Sequence, residues 1–118
     1  MVEPIRNPQK LQEQISQYQE LIRQLQIYDA QEQQITFLLN DLEQAEAELK
    51  KSSGQVFKAA GNLLIETTKK EAFEDINEKK DVYQTRIKAI KKQQEQLKQK
   101  IESLKKEIES QLQQNPQT

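Results

Sequence analysis

The sequence has no cysteine, no histidine and no tryptophan, and its 118 residues include only two glycines and three prolines. Without cysteine there is no disulfide and no thiol nucleophile. Without histidine as well, imidazole bases and His/Cys metal sites are excluded. The glycines stand alone at 54 and 61, so no glycine-rich phosphate loop can form. Hydrophobic residues make up 34% and aromatics 5%, too little for a broad globular core. No apolar run approaches the roughly 20 residues of a membrane span. The opening Met1-Val2-Glu3-Pro4 lacks the apolar core of a secretory signal. These features predict a cytoplasmic protein with no membrane partner. A net charge of -1 supplies no field for nucleic acid, and none is expected as a partner.

What is abundant is Gln, Glu, Lys, Leu and Ile, the composition of long helices. Asn7-Pro8 reads as an N-cap followed by proline in the first turn. From there a 3-4 spacing runs without a slip through Leu11, Gln14, Tyr18, Leu21, Leu25, Tyr28, Glu32, Ile35, Leu39, Leu42, Glu46 and Leu49. Ile15, Ile22, Leu38 and Ala45 lie beside this seam and are expected to widen it. Lys50 and Lys51 suit a helix C-terminus, and Gly54 is the expected C-terminal cap. A second seam follows: Phe73, Ile76, Lys80, Tyr83, Ile87, Ile90, Gln94, Leu97, Ile101, Leu104, Ile108 and Gln111. Sustained 3-4 spacing is the signature of a coiled coil. Thr68 and Glu71 have the spacing of a capping box at the start of this second helix. Asp75 with Lys79 and Glu102 with Lys106 are expected i,i+4 ion pairs.

Between the seams the helical pattern stops. Val56-Phe57 and Leu63-Leu64-Ile65 flank Gly61-Asn62, a β-hairpin signal in which both turn residues accept positive φ. The expected fold is mainly α: a long antiparallel two-helix coiled coil whose helices are joined by a short β-hairpin. The boundaries read from the sequence are 8–51, 55–67 and 69–113, within one domain of residues 1–118. Folding back about Gly61 pairs seam positions whose numbers sum to about 125. Gln14 then meets Gln111, Glu32 meets Gln94 and Glu46 meets Lys80, so every polar interruption finds a polar mate. Leu25 comes to lie across from Leu97 to Leu104.

An isolated hairpin is marginal in water, and its open edges ask for a partner. Phe57 is the expected aromatic anchor of a strand-mediated interface. The Lys pairs at 69–70, 79–80, 91–92 and 105–106 alternate with acids and read as solvated faces. Nothing here assembles a catalytic site; no enzyme and no cofactor are expected.

The stretch Gln55 to Leu97 resembles the β-class subunit of prefoldin, especially its archaeal members. The resemblance rests on the aromatic-Lys pair Phe57-Lys58, the turn Gly61-Asn62, the strand Leu63-Leu64-Ile65 and the helix start Thr67-Thr68-Lys69. It implies a subunit of a hexamer of two α-class and four β-class chains. Hairpins would join into a double β-barrel, through Val56, Phe57, Ala59, Leu63, Leu64 and Ile65 here. It further implies an ATP-independent holdase that grips non-native polypeptides with its coiled-coil tips and delivers them to a group II chaperonin. The expected partners are a prefoldin α-class subunit, other copies of the chain, unfolded clients and that chaperonin. Apolar residues near the chain ends are the tip candidates: Ile5, Leu11, Ile15, Ile101, Leu104, Ile108 and Leu112. The alternative is a scaffolding coiled coil that forms homo-oligomers or filaments through the same hairpins.

Overall fold

A computed structural model describes residues 7–113. Helix α1 spans Pro8–Lys51, strand β1 Val56–Ala60, strand β2 Leu63–Thr67 and helix α2 Lys69–Gln113. The fold is two long helices joined by an antiparallel hairpin. No helix among the described residues is long and apolar enough to cross a membrane. All residues of both expected seams are buried or half-buried. Leu38 and Ala45, expected to widen the first seam, are instead exposed, because α1 contributes only a narrow stripe there.

The helix starts are capped as their sequences dictate. Asn7 Oδ1 accepts the Lys10 N–H at 3.0 Å, and Asn7 O accepts the first helical bond, from Leu11 N. Thr68 Oγ1 accepts the Glu71 N–H at 3.1 Å. The Glu71 carboxylate takes the Thr67 hydroxyl at 2.8 Å rather than the Thr68 N–H, so only half of the expected capping box forms. The end of α1 differs from expectation. Gly54 is not in the left-handed region. Instead Lys69 Nζ reaches back from the start of α2 and donates to Lys50 O at 3.2 Å and Ser52 O at 3.0 Å. An ammonium group thus satisfies carbonyls that a glycine cap would otherwise turn inward, at the negative end of the helix dipole.

The described residues pack as two units, 7–31 with 90–113 and 32–89. In the first, Leu21, Leu97, Ile101 and Leu104 form a buried cluster, with Tyr18, Ile22, Leu25, Tyr28 and Ile108 against it. Leu25 therefore faces the span the register assigns to it. Two buried amides interrupt the apolar seam, and both are bonded. Gln14 donates to Glu107 Oε2 at 2.9 Å and accepts from Gln111 Nε2. Gln94 donates to Asp29 Oδ1 at 2.9 Å, three residues before the expected Glu32 on α1. The amide reaches an acceptor one turn away because seam level alone does not fix where a flexible side chain bonds.

In the second unit Leu49 is buried and the other seam residues are half-buried. Lys80 Nζ lies 3.4 Å from Glu46 Oε2, the pairing expected from the register. Asp75 pairs with Lys58 of β1 rather than with Lys79, and Glu102 and Lys106 form no ion pair among the described residues. Solvated i,i+4 pairs contribute only tenths of a kcal/mol, too little to hold long side chains in one geometry.

Candidate functional site

The hairpin register runs Val56↔Thr67, Phe57↔Glu66, Lys58↔Ile65, Ala59↔Leu64 and Ala60↔Leu63. Gly61 has φ of 62°, and no other described residue has positive φ. The turn therefore follows the II′ pattern, with glycine first, and Asn62 does not use the positive φ that its side chain tolerates. Strand alternation divides the apolar residues between two faces. Phe57, Ala59 and Leu64 share one with Glu66. Val56, Leu63 and Ile65 share the other with Lys58, Ala60 and Thr67.

Neither face is covered. Leu64 is 74% exposed, Leu63 67%, and Phe57 and Ile65 52% each; only Val56 and Thr67, at the helix end, are half-buried. The sheet has two strands, so each strand also keeps one open hydrogen-bonding edge. A two-stranded ribbon with apolar side chains on both faces and two free edges has nowhere within this chain to bury them. Its shape asks for sheet on either side and strand at either edge.

The ribbon is nevertheless held in place at its base. Lys58 Nζ lies 2.6 Å from Asp75 Oδ2 on α2. This hydrogen bond, with the attraction of the two charges, holds the Asp75 carboxyl below its usual range and the Lys58 ammonium above its own. A lowered carboxyl pKa contributes stability that is complete above the unfolded value of about 3.9 and is lost as pH falls through the folded value. The raised Lys58 pKa contributes below about 10.4 and is lost as pH rises through its folded value. The tie is intact across neutral pH. An NMR titration of the Asp75 carboxyl carbon is expected to show a depressed midpoint that moves up in Lys58→Met. Equal midpoints in the two proteins would mean the pair does not persist in solution.

The expected tip residues divide. Leu11, Ile101 and Leu104 are buried in the seam, Ile15 and Ile108 are half-buried, and Leu112 is 50% exposed. Ile5 lies outside the described residues. The packed seam therefore offers Leu112 outright, and the rest become available only as the helices part. Sequence reasoning missed Phe37, 66% exposed, and Val82, 50% exposed. Their signal was present: Phe37 stands midway between seam residues Ile35 and Leu39, so it must point outward.

Comparison with known proteins gives one family. The family model described as prefoldin subunit matches residues 12–115. Prefoldin subunit beta of Archaeoglobus fulgidus is 38% identical over 96 residues, which is 80% of this chain and 83% of that one. The Pyrococcus abyssi prefoldin subunit beta is 29% identical over the same share of this chain and 82% of its own. The crystal structure of the prefoldin beta subunit from Thermococcus strain KS-1 superposes with a TM-score of 0.83 at 28% identity, covering 87% of this chain and 92% of that one. A family match across the seams, the hairpin and both helices, joined to the same fold in a solved relative, places the chain in the prefoldin family, in its β class.

Proposed function

We propose that the chain is one prefoldin-like domain that acts as an ATP-independent holdase subunit. It assembles with a prefoldin α-class subunit and further copies of itself, holds non-native polypeptides and passes them to a group II chaperonin in the cytoplasm. The observation that carries this reading is the uncovered hairpin, where Phe57, Leu63, Leu64 and Ile65 are each at least half exposed on opposite faces. A monomer gains nothing from such a ribbon. Packed between neighbouring hairpins it becomes part of a continuous barrel, which abolishes the free edges. The paired helices then project from a fixed body, and their ends are free to hold clients by apolar contact. Nothing in this requires nucleotide hydrolysis, since capture and release follow from reversible burial of apolar surface.

The test is aggregation of a chemically unfolded protein, without nucleotide, in the presence of the chain mixed with an α-class subunit. The mixture is expected to suppress aggregation. Removing residues 1–10 together with 109–118 is expected to abolish suppression and leave the assembled mass, less the deleted residues, unchanged. Unchanged suppression by the truncated chain would move the client site away from the helix ends.

A further inference from the structure

The two sides of the first packing unit differ in chemistry. On one side a shallow groove is lined by Gln17 of α1 and by Gln96, Lys100, Ser103 and Glu107 of α2, mixed in charge. The opposite side is reached by stepping one residue past the buried seam positions Ile90, Leu97 and Leu104, to Lys91, Lys98 and Lys105. These lysines recur every seven residues, so they stand in a row about 10 Å apart along the helix. Lys92 borders the row, and all four are exposed. Between Lys91 and Lys105 the only acids of α2 are Glu95 and Glu102, in a chain whose net charge is -1. None of these lysines forms an ion pair among the described residues.

The facing flank of α1 neutralises the row only in part. It presents Gln12, Gln19 and Gln26, and the half-buried Ile15 and Ile22, of which Ile22 packs on the core cluster. Its acid, Asp29, accepts from the neutral Gln94 amide and keeps its charge, one carboxylate set against three ammonium groups. A row of ammonium groups thus runs beside a rim of partly covered isoleucine and exposed amide.

We propose that this flank captures non-native polypeptide segments rich in Asp or Glu, so the substrate class of the holdase is biased toward acidic chains. The inference rests on the holdase reading above. Unfolded chains spend much of their time in polyproline II conformation, which rises about 3.1 Å per residue with three residues per turn. Acids at every third position of such a segment fall on one side at about 9 Å intervals, close to the lysine spacing, while apolar residues between them meet Ile15 and Ile22. A nucleic acid fits less well, because the row has neither arginine nor aromatic for stacking.

The experiment uses the full chain assembled with an α-class subunit, and three fluorescent 12-residue peptides. One carries Glu at every third position and Leu among neutral residues between; the others carry Gln or Lys in place of Glu. The wild-type assembly is expected to bind the Glu peptide about tenfold more tightly than the Gln peptide at low salt, from three exposed charge contacts. The preference should shrink as salt screens it. In Lys91→Gln/Lys98→Gln/Lys105→Gln it should fall to within about twofold, because only Lys92, at the border of the row, remains. In the corresponding Lys→Glu variant the Lys peptide should become the preferred one. Helical content checks that both variants fold. Equal binding of the Glu and Gln peptides by the wild type, or a preference that survives in Lys→Gln, overturns the proposal. So does a single-stranded oligonucleotide that binds the row more tightly than the Glu peptide. Suppression of aggregation of a basic unfolded protein, measured in parallel, reports the holdase reading separately. Wild type that suppresses aggregation but ignores peptide charge defeats only the flank; wild type that prefers the Glu peptide but suppresses nothing defeats only the holdase.

Discussion

Replacing Phe57 by Asp is expected to leave a helical chain that no longer assembles. The side chain is 52% exposed in the single chain, so its own fold draws little from it, and the loss falls on the interface. Covering the remaining half of a phenylalanine removes about 100 Å² from water, or about 2–3 kcal/mol for each hairpin in the assembly. Aspartate forfeits that and adds the desolvation of a carboxylate, a further few kcal/mol. It also stands directly opposite Glu66 in the ladder, where like charges repel. Phe57→Leu keeps most of the apolar area and should assemble. The measurement is molar mass by light scattering, with and without an α-class subunit, beside circular dichroism. Wild type that remains monomeric in every mixture would defeat the barrel reading. An assembled Phe57→Asp would show that the anchor lies elsewhere in the ribbon.

How much of this was legible in the sequence depends on whether the information was local. Both seams could be read because a helix that buries one stripe must repeat its covered residues at 3-4 spacing, and every seam position is indeed less exposed than most of its neighbours. Asn7, Thr68 and Gly61 were readable for the same reason, since a cap or a turn is decided within a few residues. The tie of Lys58 to Asp75 and the reach of Lys69 to Lys50 and Ser52 were not readable. Each joins groups brought together only once the helices and hairpin are in place, and a local rule named a nearer candidate, Lys79 or Gly54. Gln94 shows the same limit at finer scale: the register placed its level on α1, but not the choice between Asp29 and Glu32. The assembly surface was legible as an excess. Apolar positions on both faces of a ribbon that covers neither are more than a monomer uses. The client-holding end was less so, because a seam residue and a gripping residue are the same residue types at the same spacing.

Leu97→Ala is expected to cost the chain about 2–3 kcal/mol. Leu97 retains 6% exposure and packs in the cluster with Leu21, Ile101 and Leu104. Truncation removes three carbons and leaves a void among those three side chains. Deep cores lose up to about 5 kcal/mol for such a change. Here no described side chain is completely covered, so the helices can close partly over the gap or admit water, and the lower part of the range applies. Leu64→Ala, at a residue 74% exposed, removes the same atoms and should change the stability of the unassembled chain by less than about 0.5 kcal/mol. The contrast separates the two uses of leucine in this sequence, one within the chain and one between chains. Urea unfolding of the unassembled protein measures both values, and hydrogen exchange locates the effect. Amides near Leu21 and Leu97 to Leu104 should lose protection first in Leu97→Ala, while those of the hairpin keep theirs, since stability in a chain with one thin seam is held locally. Equal costs for the two substitutions would show that the seam cluster is not what holds the helices together.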